Sequence, residues 1–477
     1  MYQPLIKFHP HPAIITQVLH IFAPLMRNRT NIFRITTAII ITLSLASCSK
    51  ESIHGDGFHR GPETGKDQSI RVENKEQRNV LLLYSAGHNS ISSYLEEDIQ
   101  DLQQGWIPES RRNSNVLLIY SHPLAKDKPY YTPVSPTLTR LSTDTNGDLI
   151  KDTLIVYPEN TRSATAEQLH EVLDYVQNTF PAKSYGMIFS SHATGYLPAG
   201  YYSKPEDYLF PGEKRAMYRG GKRIRSSVPV PYHEPEHDPS LPAVKSIGQD
   251  LIKTSGTSMS YEIELDDFAE AIPMKLDYIL FDACLMGGVE VAYELKDKCR
   301  HIGFSQTEVL AEGFDYKTLT SHLLGTETPD PKAVCRDYFM QYDIQSGIYR
   351  SATISMIDCS RMAHLAETCK VLFEKYRKQI KDLKPRDVQK YYRYDYHWFY
   401  DLVDIVAKAG ATLEELAQLE EALDECVAYK ASTPEFMGSF TIDTYSGFSM
   451  YLPCNGSPEL DKYYKTLQWN KDTGLVE

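Results

Sequence analysis

Two short apolar runs constrain this chain more than any other feature. Tyr185-Gly186-Met187-Ile188-Phe189-Ser190-Ser191 ends on His192, while Leu276-Asp277-Tyr278-Ile279-Leu280-Phe281-Asp282 leads through Ala283 to Cys284 and the glycine-bearing turn Leu285-Met286-Gly287-Gly288. Apolar runs of this length read as buried strands. In open sheets built from strand-helix alternation, the carboxyl ends of parallel strands form the crevice where ligands bind. Each run delivers a chemically active side chain to such an end. A lone buried cysteine is usually a small core hydrophobe, and a strand-terminal histidine is more often a satisfied polar residue. At matched strand ends the two read together as a cysteine-histidine dyad, the imidazole serving as base for the thiol.

The flanking residues extend that reading. Val289, Ala292, Tyr293 and Lys296 continue with helical spacing, which places the thiol near a helix N-terminus whose dipole favours the thiolate. Asp282 lies two residues before Cys284 and shares its strand face. A carboxylate that close would hold the proton on sulfur, so Asp282 is expected to point into an adjoining pocket and attract a cationic substrate side chain.

From Asn79 onward the pattern alternates: a strand over 79–84, a helix over 92–103, a strand over 115–120, a polar hairpin-like stretch, a strand over 153–157, and a helix over 164–179 with Leu169, Val172, Leu173 and Val176 on one stripe. This is α/β alternation. Asp144-Thr145-Asn146-Gly147-Asp148, with Asp152, is rich in oxygen ligands, but an EF-hand needs glycine where Leu149 stands, so the stretch reads as a turn, with calcium kept open. Beyond Tyr316 the spacing predicts helices over 331–342, 360–383 and 412–429 and strands over 351–357 and 448–452. Residues 326–477 are expected to form a supporting α/β subdomain packed on the sheet.

Between His192 and the Cys284 strand, residues 198–248 hold eight prolines and a basic cluster of Lys214, Arg215, Arg219, Lys222, Arg223 and Arg225, and read as an insertion. His233-Glu234-Pro235-Glu236-His237 matches the zinc-protease string, but that chemistry needs both histidines on one helix face, which Pro235 forbids.

The N-terminal region sets the expected compartment. Met26-Arg27-Asn28-Arg29 opens a basic stretch, 35–45 is apolar but short for a bilayer span, and Leu45-Ala46-Ser47-Cys48 follows. Residues 1–48 read as a signal peptide ending in a lipobox, with lipidation at Cys48 and a start at Met26 open. Residues 49–78 read as a flexible tether. A net charge of −13 gives no support for nucleic-acid binding, and the eight scattered cysteines form neither a disulfide framework nor a zinc knuckle.

The segment from Asn79 to about Tyr316 resembles the clostripain family of cysteine peptidases, related to caspases, gingipains and legumains. Its motifs stand in order: Gly87-His88-Asn89 after the opening strand, the acidic helix Glu96-Glu97-Asp98-Ile99, Phe180-Pro181-Ala182-Lys183-Ser184-Tyr185 before the His192 strand, Asp282-Ala283-Cys284-Leu285-Met286, Ser305-Gln306-Thr307-Glu308, and Gly313-Phe314-Asp315-Tyr316. The resemblance implies a caspase-like, mostly parallel sheet flanked by helices, with 79–325 as the catalytic domain. It implies His192 and Cys284 as the dyad, the backbone N–H groups of Ala193 and Cys284 as the oxyanion hole, and Asp282 as the floor of a pocket for arginine or lysine. The chemistry would need no cofactor, with calcium open, and the partners would be polypeptides with basic residues and, through Cys48, a lipid bilayer outside the cytoplasm. Where the family carries glycine after the histidine this chain has Ala193, which keeps open a catalytically inactive lipoprotein that acts as a binding module. Cleavage by the enzyme itself within about 204–226 is a further expectation, because the basic cluster there offers the bonds such an enzyme prefers.

Overall fold

The computed structural model describes residues 78–125, 132–199, 257–393 and 397–477, together with short strands at Tyr218–Arg219, Lys222–Arg223, Val230–Pro231 and Asp250–Thr254. Cys48, the tether up to residue 77, the basic cluster's proposed cleavage stretch and the His233–His237 string therefore lie outside what is described, apart from the backbone of the two-residue strands. Arg71–Glu477 forms one compact unit.

In chain order the elements that build the site are β1 (Asn79–Ser85), α1 (Ser92–Leu102), β2 (Val116–Ser121), β3 (Thr137–Thr143), β4 (Leu149–Val156), α2 (Ala166–Thr179), β5 (Ser184–Ser190), α3 (Leu265–Ala271), β6 (Leu276–Asp282), α4 (Val289–Leu295) and β7 (Cys299–Phe304). The remaining elements used below are α5 (Pro331–Asp343), β8 (Thr353–Asp358), α6 (Met362–Lys381), α7 (Leu402–Lys408), α8 (Leu413–Cys426) and β9 (Val427–Ser432). The nine strands form one sheet in the order β9-β8-β7-β6-β5-β1-β2-β3-β4.

The five central strands, β7 to β2 in that order, are mutually parallel, and antiparallel pairs extend both edges. The composition accounts for the difference. β1 is buried along its whole length and β2 over all but its last residue, as expected for strands covered on both faces, whereas the outermost β4 has no buried position. From β1 the chain steps to β2 on one side and later to β5 on the other. The carboxyl ends of β1 and β5 therefore flank the point where the winding reverses, which is the usual place for a ligand crevice.

The oxygen-rich stretch closes the β3–β4 hairpin. Asp144 Oδ1 accepts the backbone N–H groups of Asn146 and Asp148 at 2.8 and 2.9 Å, and these bonds, Asp148 foremost, hold its carboxyl below the usual range. This is the turn read from the sequence.

The helix expected over 412–429 stops at Cys426, and Val427–Ser432 continues as β9. That edge strand and β8 belong to the region expected to support the sheet from outside. They instead complete it, and the buried apolar side chains form one contiguous core running from Val80 to Val476. No helix among the described residues is long and apolar enough to cross a membrane.

Candidate active site

β5 and β6 are neighbours in parallel register, with Gly186 beside Tyr278, Phe189 beside Phe281 and Ser190 beside Asp282. The pairing is tight because Gly186 lacks a side chain: a Cβ there would lie 1.9 Å from the Tyr278 ring. Both strands end level, at Ser190 and Asp282. Two residues further on stand His192 and Cys284.

Each of these residues is held by its own loop. His192 is buried, 5% exposed, and its Nε2 lies 3.1 Å from Ser90 Oγ in the turn after β1. The preceding Ser191 hydroxyl donates to the Ala86 carbonyl at 2.9 Å, fastening the histidine loop to the same turn. Cys284 is fully buried, and its sulfur accepts the Val309 N–H at 3.0 Å. Alongside, Leu285 N–H donates to Thr307 O and Gly287 N–H to Ser305 O, so 305–309 runs as a rail beside the cysteine turn. Thr353 Oγ1 of β8 braces the rail, lying 2.9 Å from Ser305 Oγ and accepting the N–H groups of Gln306 and Thr307.

The two loops touch. Gly195 has φ +61°, and a Cβ there would lie 2.4 Å from the Leu285 carbonyl oxygen, so only glycine permits both the backbone turn and the approach. Leu285 itself has φ +61°, a left-handed conformation that costs a branched side chain about 1–2 kcal/mol. Such strain next to a reactive group is common at functional sites.

The helix after Cys284 begins only at Val289 and has seven residues. The donor found at the sulfur is instead a rail N–H, that of Val309. Asp282 is fully buried, its Oδ2 accepting the hydroxyls of Ser190 at 3.1 Å and Tyr316 at 2.7 Å. Burial, and then Asp282, push the Tyr316 hydroxyl well above its ordinary pKa, which keeps it a donor. A second buried carboxylate, Glu308, sits on the rail with Arg393 Nε 3.1 Å away. Burial lifts its pKa to about 7 against the opposing pull of Arg393. Beside His192 is a small pocket walled by Ala193, Leu197, Phe268, Phe281 and Met286.

Ser90, Val309 and Arg393 were not singled out by sequence reasoning. Ser90 follows Gly87-His88-Asn89 and Val309 follows Ser305-Gln306-Thr307-Glu308, so a signal existed for the neighbourhood of both but not for the atoms. For Arg393 there was none. It belongs to a C-terminal stretch that reaches the histidine loop: Tyr196 donates its hydroxyl to Trp398 O, and the Phe399 ring packs against Gly195 and, at 5.5 Å, on the Tyr196 ring.

The clostripain-family profile matches residues 83–206 and 234–475. This chain belongs to the clostripain family. It is a cysteine-type peptidase, a hydrolase whose chemistry needs no cofactor and whose substrates are polypeptides. The match carries the family well past Tyr316, to the end of the chain, and passes over 207–233 within the stretch read as an insertion. Among solved structures the chain is similar to an inactive zymogen C11 protease from Parabacteroides distasonis, with 27% identity, a TM-score of 0.64, and coverage of 83% of this chain and 98% of that one. A secreted C11 cysteine protease from Bacteroides thetaiotaomicron shares the fold at 23% identity and TM-score 0.62, covering 83% and 99% of the two chains. A C11 protease of the same organism in complex with an irreversible peptide inhibitor does so at 20% and 0.60, with the same coverage. No curated protein matches the chain. Among the described residues no cluster of three or more His, Cys, Asp or Glu side chains could hold a metal ion.

Proposed function

We propose that this clostripain-family chain is an endopeptidase that cuts after arginine or lysine through Cys284 and His192 and is anchored by a lipidated Cys48 outside the cytoplasm. The observation that carries the reading is the register of β5 and β6, which brings His192 and Cys284 to the same level, with their loops in contact at Gly195 and Leu285.

In the mechanism that fits this arrangement, Cys284 gives its proton to His192 and its sulfur attacks the scissile carbonyl carbon. With Nε2 engaged by Ser90, Nδ1 is the nitrogen assigned to the proton. The backbone N–H groups of Cys284 and Ala193 receive the developing oxyanion. His192 then protonates the leaving amine, an acyl-enzyme remains on sulfur, and water deprotonated by the same imidazole releases the product acid. Asp282 is the carboxylate assigned to a basic side chain, because a desolvated carboxylate pairs best with a cation; it is fully buried and does not line the pocket beside His192, so a substrate cation must displace the Ser190 or Tyr316 hydroxyl to reach it. The basic order ahead of Leu45-Ala46-Ser47-Cys48 supports the anchor, and the secreted relative supports a place outside the cytoplasm.

A second reading is an inactive, peptide-binding member of the family. It is favoured by the complete burial of Cys284 and by Ala193 where the family has glycine. Profiling a peptide library with wild-type, Cys284→Ala, His192→Ala and Asp282→Asn proteins separates the readings. Hydrolysis confined to bonds after Arg and Lys, lost by at least about 1,000-fold in either dyad variant, supports the peptidase. Retention of basic preference by Asp282→Asn would remove Asp282 from the pocket, and folded wild type without hydrolysis would favour the binding module.

A further inference from the structure

A second cleft, sharing no wall residue with the pocket beside His192, opens on the C-terminal part of the chain. It holds about 780 Å³, within the range of roughly 300–1,000 Å³ typical of ligand sites. Its walls come from residues 384–390 after α6, from His397 and Tyr400 ahead of α7, from Asp404 and Lys408 in α7, and from the stretch around Phe440 and Thr444.

The charges in this cleft are unequally used. All three of its carboxylates have internal partners: Asp404 accepts the Gln389 N–H at 2.7 Å, Asp443 accepts the Thr441 hydroxyl at 2.9 Å, and Asp387 lies 3.7 Å from Arg386 Nε. Lys384, Lys390 and Lys408 make no ion pair or side-chain hydrogen bond among the described residues. The Lys390 ammonium faces the Phe440 ring at 5.6 Å, so part of the wall stays apolar beneath the charge. The lining as a whole carries Lys384, Arg386, Lys390 and Lys408 against Asp387, Asp404 and Asp443, a small positive excess in a chain of net charge −13.

His397 adds a polar ring to the cleft wall. It is 4% exposed, it lines the cleft, and its buried Nδ1 has no hydrogen-bond partner among the described residues. Burial, and then Lys390, push its pKa down to about 3 against a backbone hydrogen bond to Phe399, so the ring stays neutral.

The cations sit on different stretches rather than converging on one point, and Pro385, Val388, Phe440 and Tyr400 lie between them. That distribution suits a chain with several carboxylates and apolar stems better than a single small anion. We infer that the cleft binds an acidic, carboxylate-rich polypeptide segment, with Lys384, Lys390 and Lys408 pairing to its side chains and His397 meeting one of its polar groups. The bound segment would also lie against 397–400, the stretch whose Trp398 and Phe399 pack on the histidine loop. The cleft is thus an exosite for protein partners, separate from the bond-cutting pocket.

The test is calorimetric titration of the full-length Cys284→Ala protein with a blocked hexaglutamate peptide, which offers no basic residue and needs no turnover. Binding with a dissociation constant below about 1 mM, weakened by added salt and weakened about ten-fold or more by the triple variant Lys384→Gln, Lys390→Gln, Lys408→Gln, supports the site. His397→Phe, which keeps a ring against Tyr400, should weaken it about three-fold or more. No binding, or binding that the triple lysine variant leaves unchanged, overturns the inference. So does displacement of the peptide by equimolar inorganic phosphate, which would mark a site for small oxyanions. None of these outcomes depends on whether the wild-type enzyme hydrolyses peptides.

Discussion

Near Cys284 the carboxylates of Asp282 and Glu290 are fully buried. Asp282 is met by two hydroxyls, whereas Glu290 on α4 is fully buried and accepts the Tyr451 N–H at 2.9 Å and the Tyr464 hydroxyl at 2.7 Å. Burial outweighs those two bonds and lifts the Glu290 pKa from 4.5 to about 7. Below pH 4.5 both the folded and unfolded chains hold this proton. As pH rises further the unfolded chain releases it first, so stability falls up to about pH 7 and then levels off. At about 1.4 kcal/mol per pH unit the loss is on the order of 3 kcal/mol. Urea unfolding at pH 5 and pH 8 should therefore show a higher midpoint at the lower pH, with Glu290→Gln narrowing the gap. Equal gaps in the two proteins would place the titration elsewhere, Glu308 being the other carboxyl raised to about 7. None of this was legible in the sequence, where Glu290 reads as an ordinary charge on a helix. The placement of His192, Cys284 and Asp282 at or just past strand ends was legible because each closes a strongly apolar run.

Among elements, β1, β2, β5 and β6 of the parallel centre were readable and β7 was not, while at the edges β8 and the end of β4 were read as strands, β3 only as part of a polar hairpin-like stretch, and β9 not at all. β1, β2 and β5 are runs of buried apolar residues, and α2 carries the Leu169, Val172, Leu173 and Val176 stripe expected of it, with Thr165 capping it through Gln168 N–H. The end of α8 and the start of β9 fell inside one expected helix, because Val427-Ala428-Tyr429 continues an apolar spacing that tertiary pairing with β8 redirects into a strand. Contacts between loops carry no periodic signal either. The closest of them, Gly195 against the Leu285 carbonyl, yields a prediction at this scale. Gly195→Ala must bear a positive φ worth about 1 kcal/mol or more and must separate the two loops. Its thermal midpoint should drop by a few degrees, while kcat falls by about 100-fold or more as the dyad geometry loosens. Activity close to wild type would mean that the loop contact does not set the distance between His192 and Cys284.

Over the whole molecule, the C-terminal third is part of the catalytic scaffold. β8 supplies Thr353 to the rail beside Cys284, Gly447 O accepts the Gln306 side chain at 2.7 Å, Ser449 N–H donates to Gly287 O, and Arg393 answers Glu308. The family match running to residue 475 agrees with that integration. The described cysteines are all thiols, and Cys284 is the one placed at the end of a central parallel strand beside the histidine loop. The most direct test of the proposed chemistry is therefore intact-mass and peptide mapping of the full-length protein after treatment with arginyl and lysyl active-site-directed ketones. The expected result is a single adduct on Cys284, absent in Cys284→Ala, strongly reduced in His192→Ala, and not formed with a norleucyl ketone of the same length. An adduct on another cysteine, or none on folded wild-type protein, would contradict it.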